Sequence, residues 1–99
     1  MRLSDFEVRA IKQTAAKWFG PACVVRVFGS RVNDSAKGGD IDLHVIAETS
    51  ELATLQAELG FAVDIQDQIG EQRIDLIVRK PSAVDRPIDI IAKKTGVLL

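Results

Sequence analysis

The pattern of apolar residues predicts a small α+β domain, a mixed β-sheet backed by helices. Three observations carry this. Capped segments with apolar residues at steps of three or four alternate with short segments of strict in/out alternation. The chain has 99 residues, 46% of them hydrophobic, which suffices for one core and not for two. No stretch repeats, and no Gly/Ser-rich linker divides it, so residues 1–99 are read as one domain.

The first helix follows from Ser4 and Glu7, which have capping-box spacing, and from Val8, Ile11, Ala15 and Trp18, which recur at helical steps until Gly20-Pro21 ends the run. Val24 to Phe28 is β-branched and aromatic and predicts a strand. Asp40 to Ile46 alternates acid with aliphatic residues and predicts a second, antiparallel to the first across a turn and a short loop. Leu52, Leu55, Leu59, Ala62, Ile65 and Ile69 predict one helix from Ser50 through Gly60 to Gly70. Arg73 to Arg79 alternates again and predicts a third strand, closed by Pro81. Asp85 as N-cap, Pro87, Ile88, Ile91, Lys93, Lys94 and the terminator Gly96 predict a last helix. The order is α-β-(turn)-β-α-β-α. The tail Gly96-Val97-Leu98-Leu99 reads either as docked on the core or as a partner surface.

Composition narrows function. Lys and Arg number 13 against 14 Asp and Glu, so no global positive field draws the chain to nucleic acid, and no direct contact with it is expected. One cysteine, Cys23, makes no internal disulfide, and with one histidine it builds no common zinc site. The first residues, MRLSDFEVRAIK, interrupt their apolar positions with charge, and no apolar run approaches membrane-spanning length. The expected location is the cytoplasm, with no membrane partner.

The informative stretch is Val27 to Val45, VFGSRVNDSAKGGDIDLHV. Residues two apart on a strand share a face, so Asp40 and Asp42 project together, roughly 7 Å apart at Cα, while Ile41 and Leu43 face the core. Ile74, Leu76 and Val78 likewise turn inward and leave Asp75 outside. If the third strand lies beside the second, three carboxylates converge. Such acids repel unless a hard divalent cation neutralises them, so Mg²⁺ or Mn²⁺ is expected. Gly29 lets phosphate oxygens approach the backbone, Ser30 adds a hydroxyl, and Arg31 and Lys37 are candidate charge partners for a triphosphate. Asp64, in FAVDIQDQ, competes with Asp75, but Gln66, Asp67 and Gln68 after it are poor strand formers. His44 shares a face with Asp42 and is given no role, Trp18 is read as core, and Cys23 as buried and inert.

Gly-Ser, then Asp-Ile-Asp after a short loop, then a lone strand aspartate resembles the signature of the DNA polymerase β-type nucleotidyltransferase superfamily, and at this size its minimal nucleotidyltransferase branch. The resemblance implies ATP or another NTP as donor, two divalent metal ions, and transfer of a nucleoside monophosphate with release of pyrophosphate. It implies Gly29 and Ser30 as the phosphate turn and Asp40, Asp42 and Asp75 as the metal-binding acids, Asp75 serving as base for the acceptor. Gly39 stands where many relatives have Ser. Members of this branch work beside HEPN-domain proteins, as antitoxins that adenylylate an RNase toxin. That makes a protein hydroxyl the expected acceptor. Two rivals are an antitoxin that binds nucleotide and acts by occlusion alone, and transfer to a small molecule such as an aminoglycoside, whose enzymes usually carry a further domain.

Overall fold

The computed structural model describes residues 1–33, 35 and 39–99. The chain runs α1 (Asp5–Phe19), β1 (Val24–Phe28), a 3-10 turn (Gly29–Val32), β2 (Ile41–Ile46), a second 3-10 turn (Ser50–Leu52), α2 (Leu55–Ile69), β3 (Ile74–Arg79), α3 (Pro87–Thr95) and β4 (Val97–Leu98). This is the α+β domain with a mixed sheet expected of a nucleotidyltransferase-like chain. The sheet order is β3-β2-β1-β4. β1 is antiparallel to β2 and β4, and α2 is the crossover between the parallel strands β2 and β3. Among the described residues no helix is long and apolar enough to cross a membrane.

The sheet has two differently covered faces. Ile41, Leu43, Val45 and Val27 are fully buried on one, against Ile11, Ala15 and Phe19 of α1 and Phe61 and Ile65 of α2. Phe19 and Phe61 meet with ring centroids 5.6 Å apart. Asp42 and His44 belong to the opposite face, where α3 packs through Asp89 onto His44. The α1 capping box forms as expected: the Glu7 backbone N–H donates to Ser4 Oγ at 3.1 Å, and the Ser4 N–H donates to Glu7 Oε1 at 2.9 Å.

Three expectations need correction. The segment from Ser50 to Gly70 is not one helix. Thr54 caps α2 by accepting from the Ala57 N–H at 3.1 Å, which leaves Ser50–Leu52 as a separate turn. The buried stripe of α2 is Ala57, Phe61 and Ile65, whereas Leu55 and Leu59 are exposed. Asp85 is not the α3 cap. Arg86 holds that position, its backbone N–H donating to Asp89 Oδ2 at 2.7 Å, and Asp85 pairs with Lys93 at 2.8 Å. Val97–Leu98 resolves the open reading of the tail by adding a fourth strand beside β1, with the Leu99 N–H donating to the Val25 carbonyl at 2.9 Å.

Gly60, in the middle of α2, is explained by packing. A Cβ there would strike the Trp18 ring, which lies across this residue. Trp18 Nε1 donates to Asp64 Oδ2 at 3.1 Å, and Lys17 reaches the same oxygen at 2.7 Å. Asp64 thus lies on a helix and staples α1 to α2, with its carboxyl held below the usual range by Lys17 and Trp18.

Candidate functional site

Parallel pairing of β2 with β3 sets the acidic residues side by side. Asp42 is the register partner of Asp75, and Phe28 of β1 is opposite Asp42 on the other side. Asp40 immediately precedes β2 and Arg73 immediately precedes β3, and the Ile41 N–H donates to the Arg73 carbonyl at 3.0 Å. The acids therefore form a row at one end of the face that carries Asp42 and His44. Asp75 is half exposed, as is Asp40.

The electrostatics match that crowding. Burial raises the Asp42 carboxyl above its ordinary 3.8, the charge and hydrogen bond of Asp75 and the charge of Asp40 push it further, and Arg73 opposes them. Arg73 Nε lies 3.3 Å from Asp40 Oδ2 and 3.7 Å from Asp75 Oδ1. Among the described residues no three His, Cys, Asp or Glu side chains form a ready metal cage. As placed, Asp40, Asp42 and Asp75 do not form such a group, although carboxylate oxygens are the donor type of a hard divalent cation and their mutual repulsion favours a positive charge.

The turn after β1 abuts this row. Gly29 has φ +73°, and a Cβ on it would collide with Asp42 Oδ2, so the backbone passes directly against the carboxylate. Ser30 is exposed, and among the described residues its hydroxyl has no hydrogen-bond partner. Gly39, with φ +92°, brings the end of the loop against Ser30, where a Cβ would meet its Oγ.

Arg31 is placed differently from a freely reaching phosphate ligand. Its Nε donates to the Gly39 carbonyl at 3.2 Å, Nη1 to the Arg2 carbonyl at 3.0 Å and Nη2 to Gln72 Oε1 at 3.4 Å. Arg2 closes the same knot by donating to the Asn33 and Ser30 carbonyls, both at 2.9 Å. Gln72 extends it to α1 through Glu7 Oε2 at 2.9 Å. These bonds anchor the turn and both ends of its loop. Lys37 lies outside the described residues.

Sequence reasoning missed a second polar cluster on the same face. His44 and Asp89 are fully buried, with His44 Nε2 and Asp89 Oδ1 2.9 Å apart. Asp89 Oδ2 also meets Arg79 Nε at 3.2 Å and Arg86 Nε at 3.3 Å. Burial alone would raise the Asp89 carboxyl, but bonds from Arg86 and His44 and the Arg79 charge hold it far below the usual range. Its ionised carboxylate is the acceptor, so His44 Nε2 carries the proton. The available signal was Ala92 and Gly96: with Asp89 they line one helical face, and small residues mark close packing.

Cys23 is half-buried, and burial followed by the Glu48 charge pushes its thiol up, consistent with an inert residue.

No protein-family model and no curated protein matches the sequence.

Proposed function

We propose that this chain is a cytoplasmic, metal-dependent nucleotidyltransferase of the minimal type, which moves AMP or another nucleoside monophosphate from an NTP to a hydroxyl of a partner protein. The observation that carries the reading is Asp42 and Asp75 paired on adjacent parallel strands, with Asp40 joining them and the glycine turn directly against Asp42. An exposed, mutually repelling acidic row is poor design for stability alone, and a reason for its presence is work on a cation and an anionic substrate.

In this reading the Gly29–Ser30 turn receives phosphate oxygens and Arg31 holds that turn in place. Two Mg²⁺ or Mn²⁺ ions held by Asp40, Asp42 and Asp75 would supply charge neutralisation when bound. The acceptor oxygen attacks the α-phosphorus, the bond to the α–β bridging oxygen breaks, and pyrophosphate leaves. Asp75, on the exposed side of the row, takes the hydroxyl proton. The acceptor proposed is a HEPN-type RNase toxin, for which this chain serves as antitoxin. The chain contains no tyrosine, so a tyrosine acceptor cannot be its own.

A second reading, an antitoxin that binds without catalysis, is favoured by one contact: Arg73 already offers a positive charge to Asp40 and Asp75. Intact-mass spectrometry separates the two. Incubated with ATP, Mg²⁺ and the HEPN-type toxin, an active enzyme adds one AMP mass to the toxin. An unmodified toxin that is still silenced supports occlusion, and nucleotidylation of an aminoglycoside with the toxin unmodified overturns both.

A further inference from the structure

We propose that Arg73 is a displaceable internal cation, which holds the acidic row when no divalent ion is bound and moves onto the phosphate chain of the nucleotide when one is. The inference rests on the nucleotidyltransferase reading of the acids and assigns Arg73 as the residue that couples metal entry to nucleotide binding.

Three features carry it. First, Arg73 is rooted but free to swing. Its carbonyl is fixed by the Ile41 N–H at 3.0 Å, while its side chain is 75% exposed. Second, its grip on the acids is weak. One nitrogen, Nε, is shared between two carboxylates at 3.3 and 3.7 Å. The parallel two-bond geometry of a strong arginine–carboxylate pair is absent, and exposed pairs of this kind contribute little. Third, the other arginines near the turn are engaged in holding it: Arg31 donates to the Gly39 and Arg2 carbonyls and Gln72, and Arg2 to the Ser30 and Asn33 carbonyls. Arg73 alone among these three is shown gripping the carboxylates a metal would use.

Position completes the argument. Across the sheet the order is the glycine turn at the end of β1, then Asp42, then Asp75, with Arg73 at the start of β3. A phosphate chain seated on the turn brings its negative charge to the row from one side while Arg73 stands on the other. A divalent ion between the acids removes the reason for Arg73 to stay on them. The released guanidinium matches phosphate in shape and charge.

The prediction is a pair of affinity changes of opposite sign in Arg73→Gln. Mn²⁺ alone, titrated by electron paramagnetic resonance, should bind about two- to fivefold tighter than to wild type, because a competing cation is gone. The α,β-methylene analogue of ATP, titrated calorimetrically with Mg²⁺, should bind about tenfold more weakly, because a charged phosphate contact is gone. Arg73→Lys should fall between the two on both measurements. Circular dichroism of each variant confirms the fold. Both affinities falling together, or neither moving while wild type binds both probes, overturns the role of Arg73 and leaves the enzyme reading standing. A wild type that binds neither probe overturns both.

Discussion

Asp42→Asn should stabilise the metal-free protein while abolishing transfer. Adjacent strands are about 4.8 Å apart, and like unit charges at roughly that range repel by about 1 kcal/mol with water-like screening and by several times more with less. Asp75 is 52% exposed and Arg73 offsets part of the charge, so the lower figure applies. Amidation then releases about 1 kcal/mol, equivalent to roughly 4–8 °C in Tm for a domain of this size. The gain depends on pH. The folded-state carboxyl of Asp42 is raised above 3.8 by burial, Asp75 and Asp40, so the unfolded chain loses this proton at lower pH than the folded protein does. Stability from this group is therefore full below about pH 3.8 and declines as pH rises through the folded value. The variant's advantage should be near zero in acid and complete at neutrality. Scanning calorimetry in EDTA from pH 3 to 7 measures it, and transfer should fall at least about a hundredfold in parallel. A variant less stable than wild type at pH 7, or one with near-normal transfer, refutes the picture of crowded metal-binding acids.

Two further substitutions test the parts that hold this row. Asp89→Ala removes the acceptor for His44 Nε2, the Arg86 N–H and two guanidinium groups; with a lost cap and a buried imidazole left unpaired, urea denaturation should show a loss of about 3 kcal/mol. Because Asp89 is held below its ordinary 3.8, its contribution exists above that pH and fades as pH falls below it, so wild type should lose stability in acid more steeply than the variant. Gly60→Ala should destabilise by about 1 kcal/mol despite alanine's helix preference, because the new methyl displaces the Trp18 ring. Trp18 is the sole tryptophan, so a red-shifted emission reports that displacement directly.

β2 and β3 were legible because aliphatic residues on one face alternate with an aspartate on the other. Ile41, Leu43 and Val45 against Asp42, and Ile74, Leu76 and Val78 against Asp75, leave a single way to seat β2 and β3, and the acids emerge together as a consequence. The helices were less determinate. α2 carries two apolar stripes, Ala57-Phe61-Ile65 and Leu55-Leu59-Val63, both at steps of four, and period alone cannot choose between them. Packing chooses: small Ala57 and Gly60 admit the α1 side chains, while the bulkier stripe stays at 58–70% exposure. β4 has only two residues, too few for any period. It forms because Gly96 has no Cβ to meet the Ala92 and Val27 carbonyls, which lets the chain turn from α3 straight onto β1.

One strand face yields two chemical environments because α3 covers only part of it. Asp42 and His44 are two residues apart on β2, yet one belongs to the repelling acidic row and the other is sealed beneath Asp89. At His44 the polarity is met largely from within: the buried Asp89 carboxylate faces His44 Nε2 and the guanidinium groups of Arg79 and the half-exposed Arg86, while among the described residues His44 Nδ1 stays buried without a hydrogen-bond partner. At Asp42 the nearest groups are two more carboxylates and a half-committed arginine. His44 and Asp89 are closed off by burial, whereas an exposed, unbalanced cluster is stabilised by any cation that reaches it. The same alternation that made His44 look like a companion of Asp42 thus separates them in role, with Asp89 tying β2, β3 and α3 together behind the row that Asp40, Asp42 and Asp75 present to solvent.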